Sequence, residues 1–165
     1  MKWGKRTIAG TEYSLEHLDP FPLPVNCGDK TYKMQVSFGA HSFTREYREG
    51  DKVDLQFMDG KTHRTFCVDR YAHSLHLPAA ICQAINGKVC NSRDTLVFDA
   101  TLPGLDGPYL IAFNLRRMNS KRFDARLYVR SAHYRPNLAR DLPEANFSVV
   151  ITSVLKRRPI RWTKK

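Results

Sequence analysis

The runs YLIAFNL (residues 109–115), ARLYVRS (residues 125–131) and FSVVITSV (residues 147–154) decide how this chain folds. Each run is short, rich in β-branched and aromatic residues, and bounded by polar loops, which is typical of β-strands. We therefore predict that the three runs form a C-terminal three-stranded meander within an antiparallel sheet.

The second of these runs has one apolar and one basic face. Because successive side chains of a strand point to opposite sides, Leu127, Val129 and Ser131 are predicted to face the core. The opposite side would present two cations and an aromatic ring, namely Arg126, Tyr128 and Arg130. A basic strand face of this kind indicates an anionic partner.

The chain before this stretch adds further strands and a helix. Alternating apolar residues predict a strand over residues 32–38, and an Asp-Gly turn predicts a hairpin over residues 52–68. Residues 77–85 carry a helical apolar stripe, and residues 95–100 predict one more strand. The total of about six or seven strands and one or two helices, joined mostly by hairpins, predicts an α+β fold built mainly on an antiparallel sheet.

Length and composition favour one domain. The 165 residues suffice to bury a core, and no linker separates two halves. We assign residues 31–155 to a single α+β domain. It follows an extended N-terminal arm, residues 1–30, in which alternating prolines favour an extended chain or a sheet edge. Residues 156–165 form a basic C-terminal tail.

The charge of the chain is concentrated in its last third. The net formal charge is +11, and residues 111–165 hold 14 Lys and Arg against 3 Asp and Glu, so the remainder of the chain is neutral. This imbalance suggests nucleic acid as the partner, because the phosphate backbone is the commonest polyanion that proteins bind. A solvated basic surface without a ligand is the alternative.

Several classes of protein lack support in the sequence. No apolar run is long enough to span a membrane, no apolar leader follows the basic start, and the four cysteines form no C-x-x-C pair. No phosphate-binding glycine loop, dinucleotide fingerprint or zinc spacing is present. We expect a cytoplasmic protein with no membrane partner, with free thiols, and with no metal or other cofactor.

Two clusters contain the residue types that phosphate chemistry needs. His41 and Arg45 lie in the run HSFTRE, and Ser131, His133 and Arg135 end the basic strand. Imidazole can transfer a proton near neutral pH, and guanidinium can hold a phosphoryl oxygen. We predict that His41 and His133 are catalytic proton carriers and that Ser131 has an orienting role. The predicted phosphate ligands are Arg45, Arg116 and Arg135. An ordinary polar strand edge is the alternative for each cluster.

A wider set of cations and aromatic rings is predicted to bind nucleic acid. Cationic side chains contact phosphates, and aromatic rings stack on bases. The predicted binding residues are Arg70, Arg116, Arg117, Lys121, Arg122, Arg126, Tyr128, Arg130, Tyr134, Arg157, Arg158, Arg161 and Trp162. Trp162 has a second interpretation, in which it fixes the basic tail to the body of the protein.

Four strings of sequence resemble a bacterial family. They are HSFT (residues 41–44), RYAHSLHLP (residues 70–78), VRSA (residues 129–132) and RPIRW (residues 158–162). The likeness covers roughly residues 34–162 and is to proteins labelled stationary phase growth adaptation protein. It implies a bacterial cytoplasmic protein linked to growth control.

A helix followed by an antiparallel meander with a basic face also resembles, at the level of the fold, the RelE-type and barnase-type ribonuclease toxins. With the histidine–arginine clusters, this likeness predicts a metal-independent endoribonuclease acting on RNA, which could be a growth-arresting toxin. Two alternatives stay open. The chain could be an RNA- or DNA-binding module without catalysis, or the partner of an acidic, antitoxin-like protein. Catalysis requires that His41 and His133 lie together, which the sequence does not show.

Overall fold

The computed structural model describes residues 1–136 and 141–164. Within these residues the elements are β1 (Lys5–Ile8), β2 (Thr11–Ser14), β3 (Phe21–Cys27), β4 (Lys30–Phe38), β5 (Thr44–Glu46), β6 (Gln56–Asp59), β7 (Thr62–Phe66), α1 (Val68–Ser74), α2 (Leu77–Ala84), β8 (Lys88–Ser92), β9 (Thr95–Ala100), β10 (Tyr109–Arg117), β11 (Ala125–Tyr134), β12 (Glu144–Asn146) and α3 (Phe147–Leu155). Seven strands form a sheet in the order β12-β8-β9-β10-β11-β4-β3, three form a second sheet in the order β5-β7-β6, and β1 pairs with β2.

The predicted α+β class and the mainly antiparallel character of the sheets are confirmed. Strands β8 to β11 form an antiparallel meander, while β4 and β11 pair in parallel. The described chain has twelve strands, more than the predicted number. The additional ones, among them β1, β2, β3, β8 and β12, are short or contain proline, and such segments give only a weak alternation signal.

The third strand of the predicted C-terminal meander is wrong, because residues 147–154 lie in α3. The run contains many β-branched residues, yet Phe147, Val150 and Ile151 recur at the spacing of one helix face. All three are buried, and the ring of Phe147 lies 5.5 Å from that of Phe98 and 6.4 Å from that of Phe113. Burial of this face against the sheet outweighs the strand preference of the individual side chains.

Strand β4 occupies the position beside β11 that the predicted third strand would have filled. Met34 lies opposite Ala125 at one end of this parallel pair. Just before it, the Lys33 N–H donates to the Asp124 carboxylate at 2.7 Å, and the Asp124 N–H donates to the Lys33 carbonyl at 2.8 Å. The pairing therefore brings the end of β4, and the residues that follow it, next to the basic strand.

The helices cover one face of the large sheet and leave the other face available. Phe113 of β10 and Val129 of β11 are paired neighbours, are fully buried and point to the helix side, where α3 packs. Their chain neighbours Asn114 and Tyr128 alternate to the opposite side and stay partly exposed. Polar side chains that could form a site can therefore lie together on this second face.

Residues 1–30, predicted as an extended arm or an edge, contribute three strands to the fold. Strand β3 is an edge strand of the large sheet, where its prolines cost the fewest backbone hydrogen bonds. The chain before β3 packs more closely than a surface arm, since Trp3, Leu15 and Leu18 belong to the hydrophobic core. Within the described chain, no helix has the length and apolar character needed to cross a bilayer.

Candidate functional site

A β-bulge in β11 sets the direction of the side chains that form the candidate site. The pairing register shifts opposite Ala112 and Phe113 of β10, so that Arg130 is an additional residue in β11. Beyond the bulge the alternation of buried and exposed positions is displaced by one residue, and Ser131 and His133 turn away from the core. The prediction that Ser131 shares the core face is wrong for this reason.

Three connected clefts form a groove along the uncovered face of the sheet. The first, here called the aromatic cleft, has a volume of about 480 Å³ and is lined by Met1, Trp3, Ser37, Phe38, Gly39, Ala40, Asp59, Asn114, Arg116, Arg126 and Tyr128. The middle cleft, of about 290 Å³, is lined by His41, Asp59, Thr95, Ala112, Tyr128, Arg130 and Ser131. The histidine cleft, of about 610 Å³, is lined by His41, Glu46, Tyr47, Thr62, His63, Arg64, Arg70, Ser131 and His133. Shared lining residues join each cleft to the next.

The two predicted proton carriers reach the same cleft from distant parts of the sequence. His41 lies in a 3-10 turn, Ala40–Ser42, shortly after β4. The Gly39 N–H donates to the Val129 carbonyl at 2.8 Å and so fixes this turn against β11. His41 and His133 therefore line the histidine cleft together, which is the juxtaposition that the sequence could not show.

The imidazole of His133 is neutral at physiological pH. Its Nε2 accepts a hydrogen bond from Arg135 Nε at 2.7 Å, whereas its buried Nδ1 has no partner among the residues that the structure describes. Burial, and then the positive charges of Arg135 and Arg70, lower the pKa of His133 to about 4. Nε2 is thus a hydrogen-bond acceptor that Arg135 occupies in this structure.

The surroundings of His41 are also mainly cationic. Burial, the charge of Arg64, and the more weakly acting Arg70 and Arg130 lower the pKa of His41 below its ordinary value of 6.5, while Asp59 acts in the opposite direction. A bound anion would raise this pKa, because negative charge favours the protonated imidazole. The protonation of His41 is therefore expected to depend on whether the cleft is occupied.

Arg64 and Arg70 are two neighbouring guanidinium groups without a carboxylate in direct contact. Arg64 Nε donates to the Thr44 hydroxyl at 2.7 Å, and Arg70 Nη1 donates to the Thr44 carbonyl at 2.8 Å. Arg64 is only 6% exposed, and in residues 1–136 and 141–164 no carboxylate oxygen lies within 4.0 Å of either guanidinium. Burial and the charge of Arg70 lower the pKa of Arg64, while the charges of Asp59 and Glu46 act in the opposite direction. Cations that line a cleft without a direct ion pair are suited to binding an anion.

The sequence-based prediction included Arg70 but missed Arg64. Arg64 lies two residues before Phe66 in β7, so both side chains point to the same face of the strand, and Phe66 is 2% exposed. An arginine on the core side of a strand is a usable signal, because burying an unpaired charge costs free energy. Asp59 and His63 were also missed, since they were interpreted only as parts of a hairpin.

Arg45 is not among the residues that line the three clefts, because its guanidinium binds Asp51. Arg45 Nη1 donates to Asp51 Oδ2 at 2.7 Å, and Nη2 donates to Oδ1 at 2.5 Å. The Thr65 hydroxyl and the Arg48 N–H donate to the same carboxylate at 2.6 and 2.9 Å. The position of Arg45 therefore indicates a structural role in the loop after β5 and does not support the predicted role as a phosphate ligand.

Replacing Asp51 with asparagine is expected to lower the Tm at neutral pH and to reduce the acid sensitivity of the protein. The hydrogen bonds from Arg45 and Thr65 hold the pKa of Asp51 well below its ordinary value of 3.8. The stabilising contribution is therefore complete above that value and is lost as the pH falls below it. Melting curves of the parent and D51N should differ at neutral pH and converge in acid. A constant difference in Tm across this range would contradict the prediction.

The predicted nucleic-acid contacts divide into groups by position. Those that line the groove are Arg70, Arg116, Arg126, Tyr128 and Arg130. A second group is exposed at the end of β10 and in the chain that leads to β11, namely Arg117, Lys121 and Arg122. Tyr134 packs against Gly107, and Arg135 contacts His133.

The basic tail returns to β12, at one edge of the large sheet. Thr163 and Glu144 exchange two backbone hydrogen bonds of 2.9 Å, and Trp162 is partly buried against the core. This placement agrees with the second interpretation of Trp162, as a residue that fixes the tail. The predicted binding residues here, Arg157, Arg158 and Arg161, are exposed, and none of them is among the described residues that line the groove. The last predicted tail residue, Lys165, lies outside the described residues.

The fold and the groove define a class of protein: an α+β protein whose cationic groove runs between a seven-stranded and a three-stranded sheet. The chain belongs to the YjaZ family, whose model matches residues 5–155. Searches of curated proteins and of solved structures gave no match. The family match extends from β1 to the end of α3 and thus includes every residue of the histidine cleft. The resemblances noted in the sequence stay predictions.

Proposed function

We propose that this chain binds a single RNA strand in its groove and cleaves it as a metal-independent endoribonuclease. The observation that carries the proposal is the histidine cleft, where Arg64 and Arg70, neither in direct contact with a carboxylate, lie beside His41 and His133. Guanidinium groups bind phosphate oxygens in a bidentate manner, and imidazoles transfer protons. The cleft therefore combines the groups that cleavage of an RNA phosphodiester requires.

The shape of the groove favours a single strand over a duplex. Its three clefts follow one another along one face, and the ring of Tyr128 borders two of them, with the Arg126 guanidinium 5.6 Å from the ring centroid. Aromatic rings next to cations bind single strands because bases stack on the rings while phosphates contact the cations. The bases of a duplex are paired and stacked inside, so they would not reach Tyr128.

In the proposed reaction, the 2′-hydroxyl of one nucleotide attacks the adjacent phosphorus, and the bond between phosphorus and the 5′-oxygen breaks. His133, which has the lower pKa, accepts the proton of the 2′-hydroxyl at Nε2. His41 donates a proton to the leaving 5′-oxygen. The products are a 2′,3′-cyclic phosphate and a 5′-hydroxyl, so the step consumes no water and needs no metal ion.

The remaining polar residues of the cleft position the phosphate. Arg64 and Arg70 stabilise the charge that develops on the phosphate oxygens, and their bonds to Thr44 hold them in place before the substrate arrives. Ser131 lines both the middle and the histidine cleft, so its hydroxyl can orient the phosphate that passes between them. Arg135, released from His133, becomes a further phosphate ligand.

A binding module without catalysis is the second candidate, and the state of the histidines favours it. Burial lowers the pKa of both His41 and His133, so that neither imidazole carries a proton at neutral pH in the free protein. Cleavage then depends on a bound phosphate that raises the pKa of His41. If the phosphate does not do so, the groove binds RNA or DNA and releases it intact.

The exposed cations of the tail suit a protein partner. Arg157, Arg158 and Arg161 lie near β12 and are separate from the groove lining. We assign them to an acidic, antitoxin-like partner and place the protein in the bacterial cytoplasm as a growth-arresting toxin. The resemblance to stationary phase growth adaptation proteins supports this role. Binding to such a partner should survive RNA competition, because the two surfaces are separate.

The proposal is tested with a short fluorescent RNA and the same sequence in 2′-O-methyl form, each incubated with the protein in EDTA. Cleavage of the RNA alone, leaving a 2′,3′-cyclic phosphate, is the expected result, because only the RNA has a free 2′-hydroxyl. Salt-sensitive binding of both strands without cleavage would identify the binding module. Failure to bind either strand at low salt would overturn both the ribonuclease and the binding module as functions of the groove.

The substitution Gly39→Ala is expected to weaken RNA binding without unfolding the protein. A Cβ at this position would lie 2.6 Å from the Tyr128 hydroxyl and 3.3 Å from the Val129 carbonyl, so the tyrosine ring must move. Loss of one base stack should weaken binding roughly 5- to 150-fold. Gly87→Ala is the matched control, because its Cβ would meet only the Ala84 carbonyl at 3.6 Å. Equal affinities of the two variants would contradict the placement of RNA on Tyr128.

A further inference from the structure

The aromatic cleft has the composition of a nucleobase pocket. Its volume of about 480 Å³ is within the range of small-molecule sites. Trp3 and Tyr128 supply aromatic walls, and Asn114 and Asp59 supply polar groups. The Trp3 ring is fixed, since its Nε1–H donates to the Phe38 carbonyl at 3.3 Å. These walls and polar groups suit a flat, polar, aromatic ligand.

Asp59 is unusual in this groove because its carboxylate has no direct contact with a cation. It is partly buried, lines both the aromatic and the middle cleft, and acts through its charge on His41 and Arg64, yet within the described chain its carboxylate forms no ion pair and no side-chain hydrogen bond. A carboxylate repels the phosphates that the neighbouring cations attract. Its presence therefore points to a ligand group that donates hydrogen bonds, and in a nucleic acid such donors lie on the bases.

Guanine is the base that fits a carboxylate beside arginines. Its N1–H and N2 amino group are adjacent donors that can meet both oxygens of Asp59, and its O6 and N7 accept from arginine. Arg116 and Arg126 line the same cleft. Adenine and cytosine place a ring acceptor next to their amino group, and uracil places carbonyl acceptors on both sides of its N3–H. Each of these bases would therefore direct a lone pair at the carboxylate.

The aromatic cleft also adjoins the part of the groove where the phosphate is proposed to bind. Asp59 and Tyr128 line the middle cleft too, where they adjoin His41 and Ser131. We propose that the aromatic cleft binds a guanine base of the RNA strand whose neighbouring phosphate lies at the histidines. This inference rests on the proposed function and deepens it, because it makes the groove selective for strands that contain guanine at one position.

The inference is tested with 2′-O-methyl oligonucleotides that differ at a single central base and cannot be cleaved. The guanine strand should bind about 5- to 150-fold more tightly than the adenine strand, which corresponds to one bidentate base contact. The variant D59N keeps the size of the side chain but replaces one acceptor with a donor, so it should lose most of this preference. D54N, which changes an exposed aspartate outside the groove lining, is the matched control and should keep it.

The outcomes separate the two proposals. Salt-sensitive binding of all strands with equal affinity would overturn the guanine pocket and leave the RNA groove in place. Preference for guanine that persists in D59N would also overturn the role of Asp59. Binding of no strand at low salt would overturn the proposed function together with this inference. Loss of the preference in D59N, with tighter binding of the adenine strand because the carboxylate no longer repels its phosphates, is the expected result.

Discussion

Replacing His41 and His133 together with alanine is expected to abolish RNA cleavage in EDTA while leaving RNA binding largely intact. Each proton carrier contributes about 10²- to 10⁴-fold to the rate, so either single variant should already be severely impaired. Both side chains line the histidine cleft, and the guanidinium groups that bind phosphate are unchanged in this variant. Single-turnover cleavage of the fluorescent RNA, measured with saturating protein, separates the rate of the chemical step from affinity.

The control for this experiment is His76→Ala, which removes an exposed histidine outside the groove lining. It should cleave at the rate of the parent, and its Tm should show that a histidine can be lost without unfolding. Full activity in the double variant would remove the catalytic assignment and leave the groove as a binding surface. Loss of activity in His76→Ala would show that the loss of cleavage in the double variant is not specific to the histidines of the cleft.

The pH dependence of cleavage distinguishes the roles of the two histidines. His133 must be neutral to accept a proton, and its pKa of about 4 satisfies this condition above pH 4. His41 must be protonated to donate, and its pKa lies below 6.5, so its active fraction falls as the pH rises through that pKa, before neutrality is reached. We expect kcat/KM to be largest between these values, on the acidic side of neutral. A kcat/KM that rises steadily into the alkaline range would contradict this assignment.

The substitution Arg64→Met is expected to weaken RNA binding about 10- to 100-fold without lowering the Tm. A hydrogen bond to a charged group contributes about 1.5–3 kcal/mol, and Arg64 is proposed to make such bonds to phosphate. Its removal leaves no polar group of Thr44 buried without a hydrogen bond. The Thr44 hydroxyl still donates to the Ala40 carbonyl at 2.7 Å, and the Thr44 carbonyl still accepts from Arg70. Methionine fills a similar volume and removes a buried charge that has no direct ion pair, so the folded state loses nothing essential.

Arg158→Met is the matched control for this prediction, because it removes one exposed cation from the tail. Fluorescence anisotropy titrations over a range of salt concentrations should show a lower salt dependence for R64M, by about one unit of slope. Equal losses of affinity in the two variants would mean that only the total charge matters. A large fall in the Tm of R64M would show that Arg64 is a structural residue.

The candidate site was partly predictable because the residues of each predicted cluster are neighbours in the sequence. His41 and His133 were recognised from the residues beside them, and the structure brings both into one cleft. Arg45 looked equally suitable, yet its partner Asp51 lies six residues further along and occupies its guanidinium. Whether a cation is free for a ligand depends on such contacts, and a strand pattern does not contain them.

The fold class was predictable from the sequence, but the packing and pairing of the elements were less so. Residues 147–154 contain both a β-branched composition and a helical spacing of apolar residues, and only packing against Phe98 and Phe113 decides between them. The bulge at Arg130 has no strong signal in the sequence, although it turns Ser131 and His133 towards the groove. The parallel pairing of β4 with β11 joins segments that share no local pattern.

That parallel pairing also determines when the proposed site can form during the synthesis of the protein. Lys33 and Asp124, which bond to each other where the two strands meet, are 91 residues apart in the chain. Contacts of such long sequence separation form slowly, because a large loop must close before they can stabilise the fold. The histidine cleft therefore cannot assemble on the ribosome until β11 has emerged. A protein that cleaves RNA would therefore be unable to cleave the mRNA from which it is being translated until nearly the whole chain has been made.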